Sequence, residues 1–364
     1  MMNENNYVVI MAGGVGERFW PMSKVKRPKQ FIDILGTGRT LIQQTYDRFR
    51  RVCLPQNIYV VTNKMYRDLV LDQLEEMDQE QVICEPARKN TAPCIAYAAY
   101  KIYETNPEAR MIVAPSDHII LKEDVFCEVI QLALQAANES DNFYTLGIKP
   151  SRPDTGYGYI QYVAGSRFDL SPLMRKVKTF TEKPNEDLAS SFLQSGDFLW
   201  NSGIFIWSCK SIMEAFEKFQ PEISYVFQKA QGLYNTPAET PYMEKAYPTC
   251  KSISIDYAIM EKADNVYVFI SDFGWSDLGT WGSLFEARPK DASNNAVMGQ
   301  NVLVYDAKNC IVNVPDDKIV ILQGLDDYIV SESDNALLIC EKSQEQQIRR
   351  FVNDIKLFRG EEYV

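Results

Sequence analysis

Residues 12–31 combine glycines and cations in a spacing that suits phosphate binding. Three glycines allow close approach of the backbone and positive φ angles, and five cations follow within twelve residues. Backbone N–H groups and cationic side chains that converge in this way can bind one polyanion. The chain as a whole carries a net charge of −11, so this positive charge is local. The glycines are Gly13, Gly14 and Gly16, and the cations are Arg18, Lys24, Lys26, Arg27 and Lys29.

Two common phosphate-binding loops do not fit this segment. A Walker loop needs Gly-Lys-Ser or Gly-Lys-Thr after its spacer, and the chain contains neither. A dinucleotide fingerprint needs a third glycine for close packing, but Phe19 occupies that position when the pattern is counted from Gly14. An ordinary glycine turn after a strand is the remaining structural interpretation.

The elements that must position this loop alternate between strand and helix in the first half of the chain. Apolar runs predict strands, and apolar residues at helical spacing predict helices. Such alternation predicts an open α/β sheet with ligands at the carboxyl ends of its strands. The predicted strands are Tyr7–Met11, Asn57–Val61, Gln81–Cys84, Arg110–Ala114 and Phe143–Ile148, and the predicted helices are Met65–Met77, Thr91–Tyr103 and Val125–Ala137.

The pattern changes after about residue 156 and again after about residue 294. Short apolar runs separated by turn residues predict a small all-β module at the end of the chain, with a last helix over Gln344–Leu357. We predict two domains, 1–290 and 291–364. In the middle region we predict strands over Tyr157–Val163, Val177–Phe180 and Val266–Ile270, and helices over Glu186–Gln194, Lys210–Phe219, Glu222–Leu233, Glu239–Ala246 and Asp256–Lys262.

Composition excludes several classes of protein. Eight single cysteines without a C-x-x-C pair argue against a zinc knuckle or a redox pair, and one histidine, His118, leaves little room for a Ser-His-Asp triad. An acidic balance argues against a nucleic-acid surface. We also expect no transmembrane helix, no signal peptide and a cytoplasmic location.

Residues 12–31 resemble the signature loop of the sugar-1-phosphate nucleotidyltransferases. Trp20-Pro21 and Pro28–Phe31 are most similar to the form found in mannose-1-phosphate guanylyltransferases. The resemblance spans about residues 7–290 and implies an open mixed sheet of the Rossmann-like nucleotidyltransferase type. The later β module is similar to the small β-helix-like domain of shorter family members. The implied reaction transfers GMP from GTP to α-D-mannose 1-phosphate, giving GDP-mannose and diphosphate with the help of Mg²⁺.

The resemblance also implies roles for particular residues. Asp117 in Pro-Ser-Asp-His and Asp277 in Gly-Trp-Ser-Asp-Leu-Gly-Thr-Trp correspond to the Mg²⁺ ligands, although a turn aspartate or a packed aromatic corner would also explain these segments. Arg18 and Lys29 would grip the triphosphate. The nucleotide site would further include Gly13, Gly14, Gly16, Asn90 and Thr91, and the sugar-phosphate site Gly158, Glu182, Lys183 and Asn201.

Capping of a helix is an alternative role for Asn90 or Thr91, and Asp256 is a weaker site candidate. Transfer to another hexose 1-phosphate or from another base, and a non-catalytic sugar-nucleotide sensor, are the alternative functions. We expect no nucleic-acid or membrane partner, and a homodimer is compatible with the sequence. We also expect no isomerase domain of the kind found in longer relatives.

Overall fold

The computed structural model describes residues 2–166 and 168–364, and these form two compact units. Each unit is assembled from stretches that lie far apart in the sequence. The first unit comprises the stretch ending at Gly13 together with Gln43–Ser116 and Ile120–Trp275. The second comprises Gly14–Ile42, Asp117–Ile119 and Ser276–Val364. The predicted domain boundary after residue 290 rests on the change in sequence pattern and not on contacts between residues. It stays a prediction.

A nine-stranded mixed sheet forms the centre of the first unit, in the order β3-β2-β1-β4-β8-β5-β9-β7-β6. Strands β1 to β4 run parallel, while β8 runs antiparallel to both β4 and β5. This confirms the predicted open mixed α/β sheet. The strands are β1 (Asn6–Met11), β2 (Ile58–Asn63), β3 (Val82–Glu85), β4 (Arg110–Pro115), β5 (Phe143–Ile148), β6 (Gly158–Tyr162), β7 (Met174–Glu182), β8 (Phe198–Ser208) and β9 (Val266–Ser271).

Helices cover the sheet because their apolar residues recur at helical spacing and join its core. Helix α3 shows this well: eleven of its fifteen residues are buried, from Ala92 to Ile102. Among the described residues, no helix has the length and apolar composition needed to cross a membrane. The helices are α1 (Leu41–Phe49), α2 (Arg67–Gln73), α3 (Thr91–Thr105), α4 (Glu123–Glu139), α5 (Glu186–Ser195), α6 (Cys209–Phe219), α7 (Pro221–Gln228), α8 (Glu239–Ala246), α9 (Trp281–Ala287) and α10 (Ile348–Phe358).

The second unit contains a β-rich module built largely from parallel ladders. Strand β12 pairs in parallel with β10 and β14, β11 pairs in parallel with β13, and β14 pairs antiparallel with β15. Its main core also includes aromatic residues of the glycine-rich segment, among them Phe19 and Trp20. The strands are β10 (Ala296–Met298), β11 (Val302–Tyr305), β12 (Ile311–Asn313), β13 (Val320–Gln323), β14 (Tyr328–Ser333) and β15 (Ala336–Glu341).

The structure corrects several predicted elements. The helix predicted to Leu233 ends at Gln228, the one predicted to Met77 ends at Gln73, and residues 256–260 form a π-helix. Helices α1 and α9 and the central strand β8 were not predicted. All eight cysteines are free, and the seven buried ones pack as small apolar residues.

Strand β5 contains a glycine that the packing requires. A Cβ atom at Gly147 would lie 2.6 Å from both Leu199 Cδ1 and Val268 Cγ2. We therefore expect Gly147→Ala to lower the free energy of unfolding by about 1–3 kcal/mol through overpacking. Urea unfolding of the variant measures this. Gly14→Ala is the control, because its Cβ would meet nothing within 4 Å; equal unfolding midpoints for the two variants would contradict the packing argument.

Candidate active site

Lys29 joins the two predicted metal-binding aspartates in the second unit. Its side chain is only 4% exposed. The ammonium nitrogen lies 2.9 Å from Asp117 Oδ2 and donates to the backbone carbonyl oxygen of Asp277 at 2.8 Å. Three segments that are distant in sequence therefore meet at one nitrogen atom. The structure thus brings the Asp117 carboxylate and the backbone of Asp277 to the same nitrogen atom. The role of the two aspartates as metal ligands stays a prediction.

The environment of Asp117 favours its ionised form. Burial of the carboxyl group raises its pKa, but the charges of Lys29 and His118 and the hydrogen bond from Lys29 outweigh this effect. The net result is a pKa below the usual value for an aspartate. The side chain is still one-third exposed. An ionised, accessible carboxylate of this kind can serve as an oxygen ligand for a hard cation.

Asp277 lies in a tight turn that aims its carboxylate. The backbone N–H of Gly279 donates to Asp277 Oδ1 at 3.0 Å, and Leu278 adopts a φ of 45°. A Cβ atom on residue 279 would lie 2.5 Å from Asp277 Oδ2. Glycine at this position therefore lets the turn close around the carboxylate. The turn also leads into helix α9, whose N-cap is Thr280.

The glycine-rich segment is held closed by its own later residues. Gly16 has a φ of 73°, and a Cβ atom there would lie 2.5 Å from Lys29 Cβ. Gln30 Nε2 donates to the carbonyl oxygen of Gly14 at 2.9 Å, and the Ser23 hydroxyl donates to that of Gly16. The segment thus folds back so that its glycines lie against Lys29. Arg18 is half-buried and lies in a short 3-10 helix within this segment.

The donor set at this site fits Mg²⁺ that arrives with a phosphate. Asp117 and Asp277 offer carboxylate oxygens, which Mg²⁺ prefers. Within residues 2–166 and 168–364, no group of three or more His, Cys, Asp or Glu side chains is arranged to hold a metal ion by itself. A magnesium ion bound here would need further oxygen ligands, and Mg²⁺ commonly takes them from substrate phosphates and water.

A second group of predicted residues comes together in the first unit. Gly158 and Glu182 are opposite each other on β6 and β7. A Cβ atom at Gly158 would lie 2.3 Å from Glu182 Oε2 and 3.4 Å from Asn201 Cβ. Asn201 on β8 in turn donates to Asp256 Oδ1 at 2.8 Å. Together these residues place one amide group and two carboxylates next to the backbone of Gly158, which carries no side chain. This arrangement suits the binding of hydroxyl groups.

Lys183 lies at the end of the same strand pair. Its ammonium group is 2.6 Å from Glu182 Oε1, and its side chain is 60% exposed. The residue has a φ of 48°, and its backbone N–H donates to the carbonyl oxygen of Tyr157 at 3.2 Å. The turn therefore keeps the cation next to the carboxylate of Glu182.

Asn90 and Thr91 begin helix α3, and both have structural partners. Asn90 is the N-cap, with a φ of 67° and a side chain that accepts from the Thr91 N–H at 2.8 Å. The Thr91 hydroxyl accepts from the N–H of Ile255 at 2.9 Å. The next residue, Asp256, binds Asn201. Residues 255–256 therefore link the predicted nucleotide segment to the predicted sugar segment within the first unit.

Gly13, the first glycine of the loop, lies next to a buried carboxylate that sequence reasoning did not select. A Cβ atom at Gly13 would lie 3.3 Å from Glu85 Oε2, and the hydroxyl group of Tyr247 donates to Glu85 Oε1. Burial raises the pKa of Glu85 to about 7, and the hydrogen bond from Tyr247 and the charge of Arg88 limit the rise. The position of Glu85 at the carboxyl end of a predicted parallel strand was the signal that could have identified it.

Asp256 gives a pH dependence that can be measured. Burial and the charge of Glu182 raise its pKa from 3.8 to about 6. Between these values the folded chain binds the proton more tightly than the unfolded chain, so this group's contribution makes stability fall as the pH rises. Asp256→Asn mimics the protonated form. We expect the variant to gain on the order of 2 kcal/mol relative to wild type between pH 4 and pH 7.5.

Urea unfolding of both proteins at the two pH values measures this change. A difference between wild type and variant that stays constant with pH, or that reverses sign, would contradict the assignment.

Comparison with known proteins identifies the family to which the chain belongs. Residues 7–294 match the family model for nucleotidyl transferases, and residues 299–355 match the model for a MannoseP isomerase/GMP-like beta-helix domain.

Similar proteins include a mannose-1-phosphate guanylyltransferase of Klebsiella pneumoniae, 34% identical over 98% of this chain and 75% of the relative. One of Salmonella montevideo is 36% identical over 98% of this chain and 75% of the relative. A crystal structure from Thermus thermophilus, described as a mannose-1-phosphate geranyltransferase, matches with a TM-score of 0.85 and 27% identity, over 97% of this chain and 99% of that chain. The chain belongs to the nucleotidyl transferase family, among the mannose-1-phosphate guanylyltransferases.

Proposed function

We propose that this chain transfers GMP from GTP to α-D-mannose 1-phosphate and releases diphosphate, so that GDP-mannose is the product. The observation that carries the proposal is that the buried ammonium group of Lys29 contacts both the carboxylate of Asp117 and the backbone carbonyl oxygen of Asp277. The similarity to guanylyltransferases over 98% of the chain supports the choice of substrates.

The main difficulty of this reaction is electrostatic. A sugar 1-phosphate and a nucleoside triphosphate are both anions and repel each other at short distance. The attacking phosphate oxygen already carries negative charge, so the protein does not need a general base. What it must supply is alignment for in-line attack at the α-phosphorus and neutralisation of the accumulating charge.

Residues of the second unit suit the triphosphate. We infer that Arg18, Lys29 and the N–H groups of Gly14 and Gly16 bind its oxygens. Mg²⁺, when bound through Asp117 and Asp277, would neutralise charge on the phosphates and orient them. Lys29 has a second task in this arrangement, because its ammonium group keeps Asp117 ionised and in place.

Residues of the first unit suit the sugar phosphate and the base. Glu182 and Asn201 can bind sugar hydroxyls, Gly158 allows close approach, and Lys183 can bind the phosphate by exchanging its contact with Glu182. We assign Asn90 and Thr91 to the nucleoside. The carboxylate of Glu85, beside Gly13, is an acceptor suited to the adjacent N–H donors of guanine.

The first test is an assay of diphosphate release with GTP, mannose 1-phosphate and Mg²⁺. We expect turnover with these substrates, weaker turnover with other nucleoside triphosphates and hexose 1-phosphates, and a loss of at least about 100-fold in kcat for Asp117→Asn. Asp72→Asn, an exposed aspartate on α2, is the control. Binding of GDP-mannose without metal-dependent turnover would instead identify a sensor.

A second variant tests the glycine-rich segment. Arg18→Ala removes a charge-assisted contact that strengthens in the transition state, so we expect a loss of about 30- to 1000-fold in kcat/KM. Arg349→Ala removes an exposed arginine from α10 and should leave the rate unchanged. Thermal unfolding should be the same for both proteins, and wild-type turnover by Arg18→Ala would refute the role of this residue.

A further inference from the structure

Lys24 of the glycine-rich segment points to the β module. Its ammonium nitrogen has three acceptors in residues 333–335: Asn335 Oδ1 at 3.0 Å, Asp334 Oδ2 at 3.2 Å and the carbonyl oxygen of Ser333 at 3.5 Å. An ammonium group has three protons to donate, so this short turn provides one acceptor for each. The side chain of Lys24 is only 11% exposed, whereas that of Asp334 is 77% exposed.

The turn that holds Lys24 joins β14 to β15. Ser333 and Ala336 are paired, so Asp334 and Asn335 form a two-residue hairpin turn, with a φ of 51° at Asp334. Asparagine and aspartate tolerate this conformation better than other residues with side chains. The residue types of the turn therefore suit its conformation. Its polar side chains contact Lys24, which precedes Asp334 by 310 positions.

Lys24 is coupled to the residues proposed to bind the triphosphate. Its backbone N–H and carbonyl group bond those of Arg27 at 3.2 and 3.0 Å, which closes a short loop before Lys29. The preceding residue, Ser23, donates its hydroxyl to the carbonyl oxygen of Gly16. Any shift of Lys24 would therefore be passed on to Gly16 on one side and towards Lys29 on the other.

Two further contacts tie the same segment to the β module's last helix and the residues after it. The indole N–H of Trp20 donates to the carbonyl oxygen of Tyr363 at 2.8 Å, and Lys356 Nζ lies 3.4 Å from Glu17 Oε1. These partners flank Arg18 in the sequence. The ion pair of Lys356 and Glu17 is partly exposed on both sides and contributes little by itself. Lys24 is the stronger anchor because its charge is largely buried and has three acceptors.

We propose that Asp334 and Asn335 are positioning residues for nucleotide binding. They hold Lys24 in place, and Lys24 in turn holds residues 14–31 of the glycine-rich segment. This inference rests on the proposed function. Without the two side chains, the buried ammonium group would lose two of its acceptors, and the segment would spend time in other conformations. A segment that is competent for only part of the time binds its ligand correspondingly more weakly.

The test is the double variant Asp334→Ala/Asn335→Ala in the full chain. We expect KM for GTP to rise about five- to tenfold, with KM for mannose 1-phosphate unchanged. Lys308→Ala/Asp326→Ala is the control, because it removes two exposed side chains that form an ion pair of 3.4 Å in the same module. The control should retain wild-type KM values, and all three proteins should have similar melting temperatures.

Combination with Lys24→Met separates two roles of the lysine. If Lys24 acts through the turn, adding Lys24→Met to the double variant should raise KM for GTP no further. If Lys24 instead binds the triphosphate directly, the double variant should bind GTP as well as wild type, or better, and the effects should add. Either of those results would overturn the proposal.

Limited trypsin digestion provides a readout that needs no turnover. Lys26 is exposed in the segment, and cleavage after it reports local opening. We expect severalfold faster cleavage after Lys26 in the Asp334→Ala/Asn335→Ala variant and an unchanged rate in the control. An unchanged rate in the variant would overturn this inference, whereas absence of turnover by the unaltered chain would overturn the proposed function.

Discussion

A single buried ammonium group constrains the chemistry of the second unit. Lys29 is almost fully buried, so its charge must be compensated within the protein. The carboxylate of Asp117 and the carbonyl oxygen of Asp277 provide that compensation from segments 88 and 248 positions away. The local order of the glycine-rich segment depends on the same residue, because Gly16 lies against the aliphatic part of the Lys29 side chain. The residue thus links the backbone that we propose to bind phosphate to the two segments that carry the proposed metal ligands.

Much of the first unit could be predicted because its signals are local. The apolar run of β1 followed by glycines, the strand before Asp117 and the helix after Asn90 are each readable within a few residues. Strand β8 was missed because Asn201, Ser202 and Gly203 divide its apolar residues into two short runs, although nearly all of its residues are buried. Its interior Asn201 and Gly203 also weaken its strand propensity.

The candidate site could be predicted only as a set of segments. Its individual residues follow from motifs, but the contact of Lys29 with Asp117 and Asp277 depends on tertiary structure. The role of Lys24 could not be foreseen at all, because a cation in a basic, glycine-rich loop indicates phosphate binding. Its acceptors lie in a turn more than 300 positions later, and no periodicity connects the two. Each compact unit likewise combines stretches that are distant in the sequence, and no local pattern indicates which stretches belong together.

The scattered cysteines give the molecule a set of internal reporters. Five buried thiols belong to the first unit, and two, Cys310 and Cys340, belong to the second. A buried thiol reacts with an alkylating reagent only when its surroundings open. Alkylation followed by peptide analysis would therefore measure the rate at which each unit opens, in the chain without substitutions. Cys84, which is only partly buried, would mark the rate without such protection.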